Sequence, residues 1–237
     1  MPTEAALRAY YRRYYEHGSG VTLHGPERFA DHIARQVPVR PMMRVLDFGG
    51  GDGSVSLLIA EHFLAHGTTD AEVLIVDYNA CARSPQPEIR VRTADTLERI
   101  DRYELVLASA ILEHIPHPQP VLQKLLSAVT PGGFFYARTP AMAPLLEAMA
   151  RLGLHGDFTF PGHLHDMGER YWSGVVDRMG DSGLQLVVSR PSLIETKFGR
   201  DPVRTLAAFM VKAPWRALGR RWPYVGGWEV VIRRGAS

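Results

Sequence analysis

Residues 44–56 read RVLDFGGGDGSVS, and no other stretch limits so tightly what this chain can fold into. Val45 and Leu46 lead into Asp47, the glycines Gly49, Gly50, Gly51 and Gly53 follow within a few positions, and Val55, Leu57, Leu58 and Ile59 open a helical pattern. This is a strand, a tight turn and a helix start. Glycine tolerates positive φ and lets a ligand approach the backbone, while the helix beyond offers unpaired N–H groups to negative charge. A nucleotide-like ligand is implied.

The spacing narrows the choice. A dinucleotide fingerprint needs glycine or alanine where this chain has Ser54, counting from Gly49, or Ser56, counting from Gly51. That weakens an NAD reading. Asp47, Gly49, Gly51 and Gly53 instead match D/E-x-G-x-G-x-G, and the segment resembles the first motif of the class I S-adenosylmethionine (SAM)-dependent methyltransferases. The resemblance implies SAM as cofactor, with these four residues around it. It also implies an α/β, Rossmann-like, doubly wound fold: a mostly parallel seven-stranded sheet with an antiparallel last strand and helices on both faces.

Further motifs follow in the family's order. A strand over 42–48 and a helix over 54–66 lead to a second strand over 72–77, whose VLIV run suits a sheet covered on both faces. Asp77 at its end can accept from both ribose hydroxyls, or can serve as a turn or helix-cap residue. Tyr78 is placed to lie against the adenine, and Cys81 reads as a passive small residue. A short strand over 89–93 precedes Asp95, which stands where the family has an acceptor for the adenine amino group, and Thr96 adds a neighbouring backbone N–H. Residues 103–118, YELVLASAILEHIPHP, resemble the family's fourth-strand motif, with Glu104 for the usual aspartate and Ser109 closing the cofactor set. His114, in the LEH triplet, is a candidate base or a positioning residue. PGG at 131–133 reads as a turn before a fifth strand, FFYA.

The same segment argues against some chemistries. The N/D-P-P-Y/F motif of many amino-group methylases is replaced by ASAIL, and Cys81 follows alanine rather than proline, so it is not a cytosine C5 nucleophile.

Composition supports one domain over 1–237, because a chain of 237 residues with 46% hydrophobic residues can bury a full core. Residues 1–40 form its helical N-terminal cap, with Tyr10/Tyr14 and Tyr11/Tyr15 four apart on a helix over 3–17, and GSG at 18–20 a hinge. Residues 141–167 and 191–227 are insertions on the substrate side. In the first, His163 and His165 precede a helix over 168–180; one of them serves as a general base, or caps the helix or binds backbone, and no metal is expected. In the second, Arg204, Lys212, Arg216, Arg220 and Arg221 alternate with apolar residues, so 202–223 reads as a surface helix, a subunit contact, an anionic-lipid contact or a binder of acidic substrates. One cysteine and no apolar leader point to the cytoplasm.

The expected function is O-methylation of a small molecule, such as a sugar or secondary metabolite, with His163, His165 or His114 as base. A net charge of +2 gives no argument for nucleic acid. A non-catalytic binding subunit and an RNA methyltransferase are the alternatives, and an NAD oxidoreductase is more remote.

Overall fold

The computed structural model describes residues 25–78, 82, 86–97, 101–154, 163–180, 183–194 and 196–236. Seven strands form one mixed sheet in the order β3-β2-β1-β4-β5-β7-β6. The expected fold class is the observed one. The tyrosine helix, its hinge and Cys81 lie outside the described residues. The chain forms two compact units, one running to Leu107 and taking up Ile115–Thr130, the other made of Ala108–His114 and the chain from Pro131 onward.

In the first unit, β1 (Met42–Phe48), β2 (Asp70–Val76) and β3 (Ile89–Ala94) pair in parallel, and β4 (Tyr103–Ser109) adds to β1. Met43, Val45, Leu46, Val73, Ile75, Leu105 and Val106 are fully buried, as unbroken apolar runs must be in a parallel sheet covered on both sides. Two helices, α1 (Pro26–Ala34) and α2 (Ser54–Ala65), pack on each other. α1 buries Phe29 and Ile33 at helical spacing, and α2 buries Ile59 and Phe63, each side chain contributing about 1.5–3 kcal/mol. Helix α3 (Pro118–Ser127) follows β4. Glu104, the departure from the family's aspartate, accepts from the backbone N–H of Arg44 at 2.9 Å and from its guanidinium at 3.2 Å. It ties β4 to β1.

In the second unit, β5 (Val129–Thr139) and β6 (Leu184–Pro191) both pair antiparallel with β7 (Trp228–Arg234). A buried network spans these strands: Glu229 accepts from the Tyr136 hydroxyl at 3.1 Å and from Arg190 Nε at 2.6 Å. Two expectations need correction here. PGG is no turn ahead of β5 but lies within it; Gly132 takes φ 70° and its N–H bonds the Gly235 carbonyl at 3.0 Å, so pairing continues through the kink. The helix expected over 168–180 is two short ones, α5 (Glu169–Ser173) and α6 (Val175–Met179), because Gly174 caps the first and starts the second. Trp172 is fully buried, and its indole N–H donates to Thr139 Oγ1 at 2.9 Å.

Helix α4 (Ala143–Arg151) is capped by Asp166, whose carboxylate accepts from the N–H groups of Met142 at 2.5 Å and Ala143 at 3.3 Å. The basic insertion forms α7 (Pro202–Lys212) and α8 (Trp215–Leu218). α7 is a surface helix that leaves Val203, Leu206, Phe209 and Met210 exposed. Among the described residues no helix is long and apolar enough to cross a membrane.

Candidate functional site

The glycine turn is built by its own neighbours. Gly49, Gly51 and Gly53 adopt φ of 75°, 57° and 74°, so the three motif glycines are the positions that need the left-handed region. Gly50 serves closeness instead: a Cβ there would stand 2.4 Å from Asp47 Oδ2. Asp47 is thus a buried strut beneath the turn, beside Ser56 at the start of α2. Burial pushes its carboxyl up to about 6 against the pull of Ser56, and the charges of Asp77 and Asp52 add to the rise.

Strand register brings the other acids to the same edge. Phe48 pairs with Val76 and Val76 with Ala94, so Gly49, Asp77 and Asp95 each follow directly on strands that end level. Asp77 is half-buried, and its Oδ2 accepts the Gly51 N–H at 3.0 Å. It therefore braces the turn, in line with the turn-residue alternative that the sequence offered. Tyr78 is 68% exposed, and Asp95 and Thr96 are exposed too, leaving that edge open to a ligand. Glycines that keep side chains off the turn, beside two carboxylates on adjacent strand ends, fit an adenosine-bearing cofactor such as SAM.

The second unit holds a different constellation. Ser109 ends β4, and Ala110 then turns the chain at φ 56°, a conformation costing a non-glycine residue roughly 1–2 kcal/mol, fixed by its N–H to the Arg138 carbonyl at 2.8 Å. A 3-10 turn, Leu112–His114, follows. The carbonyl of Glu113 accepts from the N–H groups of Leu164 at 2.8 Å and His165 at 3.2 Å. This backbone clasp sets His163 beside His114, with ring centroids 4.9 Å apart and planes tilted by 58°. Glu113 completes the group: one ligand-type atom from each of the three lies within 4.8 Å of the others.

Two of the three expected histidines, His114 and His163, are thereby brought together, and His165 adjoins them through its backbone. Burial holds the His163 imidazole below its ordinary value of 6.5, with Asp166 pulling the other way, so the ring is neutral at pH 7. Burial also raises the Glu113 carboxyl to about 7, with its own backbone N–H and the Arg138 charge opposing. Glu113 was not singled out from the sequence. Its signal was a carboxylate between Leu112 and Ile115 in a segment otherwise destined for the interior.

Comparison with known proteins decides the family. The family model described as a methyltransferase domain matches residues 21–186, well over half of the sequence. The chain belongs to the SAM-dependent methyltransferases. This methyltransferase domain, with SAM as its cofactor, is 30% identical over 115 residues to methyltransferase str3 of Strobilurus tenacellus, covering 46% of this chain and 40% of that one. It is 28% identical over 128 residues to a ubiquinone biosynthesis O-methyltransferase of Xanthomonas campestris, covering 52% and 53%. The chain spans about half the length of these curated relatives. Among solved structures the fold resembles the cyclase SpnF, with a TM-score of 0.56 and 13% identity over 93% of this methyltransferase and 86% of that chain.

Proposed function

We propose that this methyltransferase O-methylates a small molecule, such as a sugar or another hydroxylated metabolite, and that it works in the cytoplasm. The neutral His163 beside His114 carries the reading, because a hydroxyl acceptor must lose a proton and an unprotonated imidazole can take it. The chemistry SAM supplies is a methyl group already activated on a sulfonium. The chain's part is therefore chiefly to hold and orient.

Asp47, Gly49, Gly51 and Gly53 shape the turn against which the cofactor lies. Asp77 and Asp95 orient its ribose and adenine, with Tyr78 and Thr96 at the border. A base at His163, His114 or His165 contributes about 10²–10⁴-fold for a hydroxyl, while positioning contributes about 7–11 kcal/mol. Low-identity relatives named trans-aconitate 2-methyltransferase and ubiquinone biosynthesis O-methyltransferase support the acceptor class.

The deciding test is calorimetric titration with SAM and S-adenosylhomocysteine, NAD as control, followed by an acceptor screen beginning with hydroxylated metabolites and sugar nucleotides. Micromolar binding of both and methyl transfer to an oxygen support the reading. Binding without transfer to any acceptor points to a cofactor-binding subunit, and transfer only to RNA overturns the small-molecule assignment.

A further inference from the structure

The group Glu113, His114 and His163 is not explained by packing. Glu113 is 1% exposed, yet its Oε2 has no hydrogen-bond partner, and the buried Nδ1 of His163 has none either. Leaving a buried polar atom unpaired costs about 1–3 kcal/mol, and more for a charged one. Both orphaned atoms belong to the same three-residue cluster, whose donor atoms lie within 4.8 Å of one another. The clasp from the Glu113 carbonyl to Leu164 and His165 holds the two chain segments together around it. A fold that spends a strained Ala110 and two backbone hydrogen bonds to assemble an unsatisfied carboxylate and imidazole is built for something that satisfies them.

We propose that Glu113, His114 and His163 bind one divalent cation of the zinc type. Two imidazoles and a carboxylate are the donors that suit zinc and its transition-metal neighbours, whereas magnesium and calcium favour all-oxygen shells. Bonds of about 2.0–2.2 Å to one ion require the donors, now within 4.8 Å of one another, to draw together on binding. A cation would satisfy Glu113 Oε2 and His163 Nδ1 at once.

Three protein donors leave a coordination position open, the pattern of catalytic rather than closed structural sites, where water or an acceptor oxygen can bind. Metal binding here does not depend on which acceptor is methylated. If an acceptor hydroxyl took that position, the cation would acidify it and histidine would act as ligand instead of base.

The test is metal uptake by the full chain after chelator treatment and dialysis. Calorimetry with Zn2+ is expected to give one tight site per chain, Mg2+ to bind far more weakly, and Co2+ to develop the visible absorption of a tetrahedral nitrogen and oxygen site. Glu113→Gln and His163→Ala should each weaken Zn2+ by at least the roughly 10–100-fold that loss of even an outer-shell partner costs. Circular dichroism checks that both variants fold, and the Co2+ spectrum of the parent decides should either fail. No uptake by the folded parent overturns the proposal, as does uptake that neither substitution changes.

Discussion

The glycine turn of the first unit and the Glu113 cluster of the second each bury a carboxylate, and they treat it in opposite ways. Asp47 and Asp77 are consumed by the structure: Asp47 packs directly beneath Gly50, and Asp77 accepts the Gly51 N–H. Glu113 is as buried as a side chain can be and one of its oxygens meets nothing. Where local backbone N–H groups are plentiful, as at a turn opening a helix, a carboxylate becomes a brace. Where the chain brings it in from a distance without such donors, it is held ready for another group.

The largest effect is expected where the turn is tightest. Gly53 combines φ 74° with an approach that would set a Cβ 2.3 Å from Ile75 Cδ1, so Gly53→Val should destabilise by about 2–5 kcal/mol in urea unfolding. Gly180→Ala is the control, with φ 62° but open space around it, and should cost only about 1–2 kcal/mol. Equal losses would show that backbone conformation, not close packing, governs the turn.

Next comes pH. The Asp47 carboxyl rises from 3.8 unfolded to about 6 folded, so its contribution to stability is complete below the unfolded value and is lost as pH climbs through the folded one. Roughly two units correspond to about 3 kcal/mol. Urea unfolding of the parent and Asp47→Asn from pH 4 to 7 should diverge by about that amount, the variant gaining relative stability as pH rises. Parallel curves would mean that Asp47 is less shut off from water than its burial indicates.

A smaller loss, about 1–3 kcal/mol of affinity for S-adenosylhomocysteine, is expected for Asp77→Ala, because the Gly51 N–H and the ribose hydroxyls lose an acceptor. Calorimetry reads it directly. Unchanged affinity would leave Asp77 as a brace alone.

The two regions also differ in how far they could be read in advance. The turn lies within 44–56, and its chemistry is set by φ and by near neighbours, so Asp47 and the glycines announce it. Strand ends in register carry Asp77 and Asp95 to the same edge, which the alternation of strands and helices also announces. The cluster joins residues fifty positions apart through a clasp on the Glu113 carbonyl, and no spacing rule reaches across that gap. Seen singly, His114 and His163 were two histidines among ten. PGG misled because a glycine that can turn a chain can equally kink a strand, and only the partner at Gly235 tells which.

The smallest effect tests the contrast most sharply. Glu229 and Glu113 are equally buried, but Glu229 accepts from Tyr136 and Arg190 whereas Glu113 Oε2 accepts from nothing. Replacing a buried carboxyl whose Oε2 has no partner removes a desolvation cost along with the charge. Glu113→Gln in chelator-treated protein should therefore shift unfolding stability by less than about 1 kcal/mol, or raise it. A loss of several kcal/mol, the size expected when a buried ion pair is broken, would place Glu113 with Glu229 among the structural carboxylates. The contrast between the turn and the cluster would then vanish, since both would spend their acids on holding the fold.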